Sequence, residues 1–298
     1  MHVCNHHHHQ QDNSYVRKQN PIAFRQGRIK ARSEQRRQLI ARNRLERRMA
    51  KQLDGVMRRW LNNIIVIYRE SGFYDPNVAR FNLEQELIPT LLENYKRIFR
   101  VSFGLAEERF NLAQKSAHTR YEDRNESFLF GRNAEIDAYI EAYFGQRNLV
   151  LAGISRNLSM KIYSVVNQTI LDGGSLRDVA NAIRTTGYPF AARRVALIAR
   201  TETANAANTA TNAYYQQASA DFGITMKKMW LATGDARTRR AHSQAGIDYG
   251  QSNPIPMNEP FIVNGEPLMY AGDPAGSAAN VVNCRCVVLY ADQDDSFF

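Results

Sequence analysis

Apolar side chains recur every three or four residues between about Gln26 and Glu70, which is the period of one face of an α-helix. Arginines fill most of the other positions of this stretch. The pattern predicts one long amphipathic helix whose apolar stripe consists of Leu39, Ile40, Leu45, Met49, Leu53, Val56, Trp60, Ile64 and Ile67. We expect this stripe to pack on other helices of the chain or on a partner protein.

Helical patterns continue through the middle of the chain and are separated by turn signals. Ser71-Gly72 and Asp75-Pro76 predict a turn, and the polar stretch from His118 to Arg132 predicts a loop. Ser175 and Asp178 have the spacing of a helix-capping pair. We therefore expect further helices over residues 83–115, 134–144, 157–171, 175–187 and 190–219.

The pattern changes to short apolar runs and turns after about Thr225. Asn264 and Gly265 form the pair that favours a tight hairpin turn. Asp235 is suited to cap the first turn of a short helix. The sequence thus predicts strands over 225–232 and 281–290, a hairpin over 261–270, and a short helix that bears Arg237, Arg239, Arg240 and His242.

These elements predict an α+β protein that is mostly α. Long N-terminal helices are followed by a helical region and by a small C-terminal α+β unit with short antiparallel strands. We expect a flexible, polar, His-rich N-terminus over 1–24, a helical region with a basic arm over 25–150, a C-terminal domain over 151–290 and an acidic tail over 291–298.

Composition excludes some classes of protein. The chain has 298 residues, of which 44% are hydrophobic and 23% charged, which is ordinary for a globular protein. It contains no apolar run long enough to predict a membrane span, and we expect no secretory signal at its polar start. Three cysteines do not make a disulfide framework, so a reducing cytoplasm during assembly is the expected compartment.

The positive charge is concentrated near the N-terminus. Residues 17–59 contain fifteen Lys or Arg against three acids, a net charge of +12, whereas the whole chain carries +10. Such a segment suits a polyanion, because each neutralised phosphate releases counterions. We expect DNA contacts from Arg25, Arg28, Lys30, Arg32, Arg36, Arg37, Arg42, Arg44, Arg47 and Arg48. A solvated helix whose charges only keep it soluble is the alternative.

Several candidate metal ligands occur in the C-terminal unit, namely Asp235, His242, Cys284 and Cys286. Zinc accepts N, S and O donors in a tetrahedron, and a Cys-x-Cys pair on a strand directs both side chains to one face. A structural zinc on His242, Cys284 and Cys286 is therefore one interpretation. In the other, both cysteines are ordinary buried side chains and His242 bonds a backbone carbonyl. The tract His6–His9 could also bind metal or be inert.

Five motifs in order resemble the Mu F-like phage head morphogenesis family of minor head proteins. They are Ala199-Arg-Thr-Glu-Thr203, then Trp230 with Asp235-Ala-Arg-Thr-Arg-Arg-Ala-His242, then Phe261, Gly272-Asp-Pro274 and Asn283-Cys-Arg-Cys286. The resemblance covers roughly residues 150–290. It marks Arg200, Glu202, Trp230, Asp235 and Arg239 as structural motif residues. We expect Glu202 or Arg200 to tie its helix to the segment from Arg237 to His242, with ordinary surface pairing as the alternative.

The resemblance implies a minor head protein in the virion, inside the capsid near the portal vertex, after assembly in the host cytoplasm. Its implied partners are the portal protein, the major capsid protein, packaged DNA and other copies of itself, without a membrane. We found no motif of a phosphate-binding loop, a serine hydrolase or a zinc protease, and expect no catalytic residues. Two alternatives are a free DNA-binding protein and a metal-dependent enzyme of the C-terminal unit.

Overall fold

The computed structural model describes residues 21–116 and 133–292. Within these ranges the chain is a mostly helical α+β protein with short antiparallel strands near its C-terminus, so the predicted fold class is confirmed. The tract His6–His9, the predicted loop 118–132 and the last six residues of the acidic tail lie outside the described residues. No helix in the described ranges has both the length and the apolar character needed to cross a membrane.

The first part of the chain consists of long helices. Their bounds are α1 Pro21–Ser71, α2 Pro76–Ser116, α3 Asn133–Leu171, α4 Leu176–Ala182, a π-helical turn Ile183–Gly187, and α5 Tyr188–Phe222. Helix α1 packs against α2 and α5, and α2 also packs against α3 and α5. The predicted capping pair is present, because the Ser175 hydroxyl accepts from the Asp178 amide and the Asp178 carboxylate accepts from the Ser175 amide.

The apolar stripe of α1 forms the centre of this helical part. Met49, Leu53 and Leu61 are fully buried, and each such side chain contributes about 1.5–3 kcal/mol of burial free energy. Two residues of the predicted stripe are exceptions, because Ile40 and Ile67 lie on the exposed side of the helix. Both are out of phase with the buried positions, which the structure extends back to Ala31.

Two predicted breaks in the helices are wrong. Helix α3 runs without interruption where two helices were expected, since a single glycine weakens a helix by only about 1 kcal/mol and Leu151 and Leu158 are buried against the core. Helix α3 also passes through residue 150, the position of the predicted domain boundary. That boundary stays a prediction. The helical path is not interrupted at Gly187 either. Pro189 lies in the first turn of α5, where a missing N–H is tolerated.

The C-terminal unit is built on a three-stranded antiparallel sheet. Its strands, in the order β2-β1-β5, are β2 Ile255–Pro256, β1 Met226–Leu231 and β5 Val287–Asp292. Trp230 of β1 lies opposite Val288 of β5. A separate hairpin pairs β3 Phe261–Val263 with β4 Glu266–Leu268. Its turn residues Asn264 and Gly265 both have positive φ, as an Asn-Gly turn requires, so this prediction is confirmed.

Both faces of this sheet are covered. On one face Trp230, Val288 and Tyr290 join the main core. On the other face Met229, Val287, Leu289 and Ala291 pack with Ala31 and Leu39 of α1. The N-terminal half of α1 is therefore not a free arm, because one side of it forms the cover of the sheet.

The approach to the last strand differs from the prediction. The unit contains two short helices, α6 Arg240–Asp248 and α7 Ala278–Val281, and β5 begins only at Val287. Asn283 between α7 and β5 has a φ of 60°, a left-handed conformation that ends the helix and redirects the chain. Cys284 and Cys286 consequently lie in an irregular segment before the strand and not on it.

Candidate metal centre

His242, Cys284 and Cys286 lie together in the interior of the C-terminal unit. The Sγ atoms of Cys284 and Cys286 are each 3.5 Å from Nδ1 of His242. The three candidate ligand atoms all lie within 4.8 Å of one another, and all three side chains are buried. The structure thus brings together the three residues that the sequence grouped, while a bound metal stays a prediction.

Two neighbouring elements set this arrangement. The helix α6, Arg240–Asp248, carries His242 and packs on β1. There the ring of Trp230, fully buried, meets the imidazole edge to face at 5.5 Å between centroids. Cys284 and Cys286 are two residues apart in the segment before β5, and both of their sulfurs contact Nδ1 of His242.

The two thiols titrate differently because they face each other. Hydrogen bonding from the Cys286 thiol, together with His242, lowers the pKa of Cys284 well below its ordinary value. The neighbouring Cys284 and burial raise the pKa of Cys286 above its ordinary range. The protein part alone therefore favours one thiolate and one thiol beside an imidazole, a donor set suited to soft and borderline metals.

The backbone that carries the cysteines is held by polar side chains from distant parts of the chain. The carbonyl of Cys286 accepts hydrogen bonds from Arg42 of α1 and from Asn208 of α5, each at 3.1 Å. Arg42 also donates to the side-chain oxygen of Asn208. The amide of Asn283 donates to the hydroxyl of Thr201 at 3.0 Å. These bonds fix the segment independently of any bound ion.

Asp235, the fourth candidate ligand named from the sequence, does not belong to the cluster of His242, Cys284 and Cys286. Its predicted capping of α6 is wrong, because Arg239 is the residue at that position. Its carboxylate forms a two-pronged ion pair with Arg285, with both N···O distances at 2.7 Å. It also accepts from the amide of Arg237 and the hydroxyl of Thr238, so it closes a turn before the helix. Hydrogen bonds from Arg285 hold the pKa of Asp235 well below its usual range.

Arg239, a predicted motif residue, is the residue that precedes the first turn of α6. Its backbone is extended, and its guanidinium donates to the carbonyl of Val282 in the cysteine segment. Together with the pair of Asp235 and Arg285, this bond ties the segment before α6 to the segment before β5.

The expected tie between α5 and the segment Arg237–His242 is absent at both predicted residues. Arg200 pairs with Glu46 of α1 and donates to the side chain of Asn283. Glu202 is 1% exposed and faces the helical part of the chain, where it accepts from Arg147 at 3.0 Å and from the hydroxyl of Tyr95 at 2.7 Å. Glu202 therefore contacts α2 and α3, which pack on its side of α5, and does not contact α6.

The basic stretch of α1 divides into an exposed and a buried set. Arg42 is 6% exposed and bonded within the fold, so its predicted DNA contact is wrong. Arg37 is half-buried and pairs with Glu34 and Glu108. The remaining predicted residues are exposed, namely Arg25, Arg28, Lys30, Arg32, Arg36, Arg44, Arg47 and Arg48.

Sequence reasoning missed three polar residues that organise the interior. Arg42 is three residues before Leu45 and seven before Met49, so its phase with the apolar stripe was a usable signal of burial. Arg147, the partner of Glu202, and Asn208 lie in helices without a comparable local signal. Their partners are 55 and 78 residues away along the chain.

Comparison with known proteins bears on the same region. Residues 160–289 match the model of the family described as Phage Mu protein F like protein. This region of the chain is Mu F-like. The match covers less than half of the chain, and over this region it confirms the resemblance read from the motifs. The Mu F-like region contains His242 and both cysteines, whereas Arg42 and Arg147 lie outside it.

A curated relative matches a similar length of chain. It is the NAD(+)--arginine ADP-ribosyltransferase EFV of Enterococcus faecalis (strain ATCC 700802 / V583), 31% identical over 161 residues. The match covers 48% of this chain and 30% of the relative, so the chain spans less than a third of that protein's length. No solved structure matches the chain.

Proposed function

We propose that the chain is a minor head protein that lies inside the phage head near the portal, with a structural role in head assembly and in DNA packaging or ejection. The Mu F-like match supports the head assignment. The position within the head and the partners are those that the resemblance to minor head proteins implies, and the basic surface of α1 fits them. In this proposal the portal protein, the major capsid protein, other copies of the chain and packaged DNA are its neighbours.

The two-sided character of α1 is the observation that carries this proposal. One side is anchored by Met49 and Leu53 in the helical core and by Ala31 against the sheet. The opposite side exposes the eight basic residues of the exposed set defined above. A rigid helix with a basic outer face suits the sugar–phosphate backbone of densely packed DNA, which it contacts without reading sequence.

Exposed apolar side chains at the turn between α1 and α2 support a protein partner as well. Phe73, Val78 and Phe81 are each at least half exposed, although large apolar side chains are usually buried. In the proposed setting this end of the helical part contacts the portal or a neighbouring copy, while the basic face of α1 remains available to DNA.

Salt-dependent DNA binding tests the role of the basic face. The full chain is titrated with a fluorescent duplex at several salt concentrations, alongside a variant with Arg32→Gln, Arg36→Gln and Arg47→Gln. We expect this variant to reduce the slope of log affinity against log salt by about 2–3, since each lost phosphate contact removes about 0.9.

The matched control removes the same charge from other exposed positions, through Arg177→Gln, Arg184→Gln and Arg193→Gln. We expect this control to leave the slope within about 1 of wild type. Equal slopes for wild type and the α1 variant would contradict the DNA role. Retention of the chain in purified particles separates a head protein from a free DNA-binding protein.

We infer further that the chain is not an enzyme, although its curated relative is named as an ADP-ribosyltransferase. Seven tenths of that relative has no counterpart in the match, and the named activity belongs to the whole relative. Among the described acids, Glu202 and Asp235 are bonded to arginines. Incubation of the chain with labelled NAD+ and arginine-containing proteins is expected to transfer no label, and transfer above a no-protein control would contradict this.

A further inference from the structure

We propose that His242, Cys284 and Cys286 bind one zinc ion, which fastens the segment before β5 to α6. The three side chains offer one nitrogen and two sulfur donors, the types that structural zinc sites use. They converge in the interior from segments more than 40 residues apart in sequence, because the two Sγ···Nδ1 contacts join residues separated by 42 and 44 positions. The proposal does not depend on the position of the chain in the phage head.

The spacing of the donor atoms fits a shared tetrahedral ion. With a Zn–N distance of about 2.0 Å, a Zn–S distance of about 2.3 Å and a tetrahedral angle, nitrogen and sulfur lie about 3.5 Å apart. Both observed distances from Nδ1 of His242 to the sulfurs are 3.5 Å. Two of the three donor-to-donor distances therefore match those of a zinc centre, and the two sulfurs lie within 4.8 Å of each other.

Hydrogen bonding alone explains this arrangement less well. A neutral imidazole nitrogen has one lone pair and accepts one S–H at a time, yet two sulfurs lie equally close to Nδ1. The other ring nitrogen, Nε2, is buried and has no hydrogen-bond partner among the described residues. The polar contacts of this ring are those from Nδ1 to the two sulfurs. One metal ion satisfies this nitrogen and both sulfurs at once.

The surrounding bonds preorganise the cluster for an ion. Arg42 and Asn208 fix the carbonyl of Cys286, and Arg239 fixes that of Val282. These contacts restrain the backbone on either side of Cys284. Because they also restrain the two segments without metal, the ion adds a third link between α6 and the cysteine segment.

We assign the ion a structural role. The donors are 2–3% exposed, and Asp235, the carboxylate on the segment before α6, is committed to Arg285. The described residues supply three donors, and the fourth position of the tetrahedron is left to a ligand that they do not supply.

The test measures metal in the full chain after removal of the competing histidine tract. A parent variant with His6, His7, His8 and His9 changed to Gln is purified without added metal and analysed for zinc by mass spectrometry. We expect about one equivalent of zinc per chain. After exchange into Co2+, we expect the visible bands of tetrahedral cobalt and the ultraviolet sulfur-to-cobalt bands of thiolate ligands.

Variants of the parent locate the ion. Cys286→Ala and His242→Ala are each expected to lose zinc and to change the cobalt spectrum, whereas Cys4→Ala, which replaces the third cysteine of the sequence, is expected to retain both. A Cys286→Ala variant that keeps one equivalent of zinc would overturn the assignment to this cluster.

Measurements on the parent chain test the proposal even if a cluster variant fails to fold. A folded parent chain that carries no zinc, and that shows no thiolate-to-cobalt bands when titrated with Co2+, would overturn the proposal. We also expect a zinc chelator to lower the thermal midpoint of the zinc-loaded parent and added zinc to restore it, with Mg2+ inactive. No change in the midpoint would contradict the fastening role.

Discussion

The helical part and the C-terminal unit of this protein are stabilised in different ways. Helices α1, α2 and α5 bury long apolar stripes against one another, with Leu53 and Leu83 among the fully buried residues. The C-terminal unit has strands of two to six residues, and several of its segments are also joined by hydrogen bonds from side chains to backbone carbonyls. Short strands contribute few ladder bonds, so the unit depends on polar side chains from outside itself.

The difference shows where the two regions depend on each other. Arg42 of α1 and Asn208 of α5 both bond the carbonyl of Cys286. Helix α1 also covers one face of the sheet. The Mu F-like region thus completes its own interior only with a helix from outside it.

The largest expected effect comes from breaking the buried ion pair of the helical part. Arg147→Met leaves the carboxylate of Glu202 buried without its charge partner, and we expect it to lower the free energy of unfolding by about 3–5 kcal/mol. Chemical denaturation measures this. The double variant Arg147→Met, Glu202→Met removes both charges and is expected to be more stable than the single one. A single variant within 1 kcal/mol of wild type would contradict the role of the pair.

A smaller effect is expected where α1 meets the C-terminal unit. Arg42→Met leaves the carbonyl of Cys286 and the side chain of Asn208 short of a donor, and we expect a loss of about 1–3 kcal/mol in the free energy of unfolding. Arg44→Met, on the exposed side two residues away, is the control and is expected to stay within about 0.5 kcal/mol. Equal losses in the free energy of unfolding for Arg42→Met and Arg44→Met would contradict the distinction between a buried and an exposed side of α1.

The smallest effect concerns pH and a buried lysine of the sheet. Burial lowers the pKa of Lys228 to about 8 from 10.5. Between these values the unfolded chain binds more protons than the folded one, so this residue raises the free energy of unfolding as pH rises from about 8 to 10. We expect a gain of the order of 1–2 kcal/mol for wild type relative to Lys228→Met.

Denaturation at a series of pH values measures this difference. Lys227→Met, a change at the half-buried neighbour on the same strand, is expected to follow the wild-type dependence. Parallel curves for wild type and Lys228→Met would show that Lys228 does not titrate with an altered pKa.

The sequence predicted those features that depend on local pattern. The period of Met49, Leu53 and Val56 predicted α1, and the pair Asn264-Gly265 predicted the hairpin, because each signal lies within a few neighbouring residues. The same reasoning failed for Ile40, which is apolar but lies on the exposed side, since composition alone does not fix the phase of a stripe.

The candidate site was predictable in part. His242, Cys284 and Cys286 were grouped from residue type, and the structure brings them together. Asp235 was grouped with them, but its pair with Arg285 could not be foreseen, because a carboxylate near an arginine is bonded or free depending on tertiary geometry. The partnership of Glu202 with Arg147 depends on the packing of α3 against the other helices, which no local pattern encodes.

A reconstruction of the portal vertex of the mature phage tests the central claim most directly. The account predicts density for the long helices of this chain inside the shell beside the portal, with the exposed basic side of α1 toward the packaged DNA. Absence of the chain from purified particles, or a position outside the shell, would contradict the proposal that it is a minor head protein in contact with DNA.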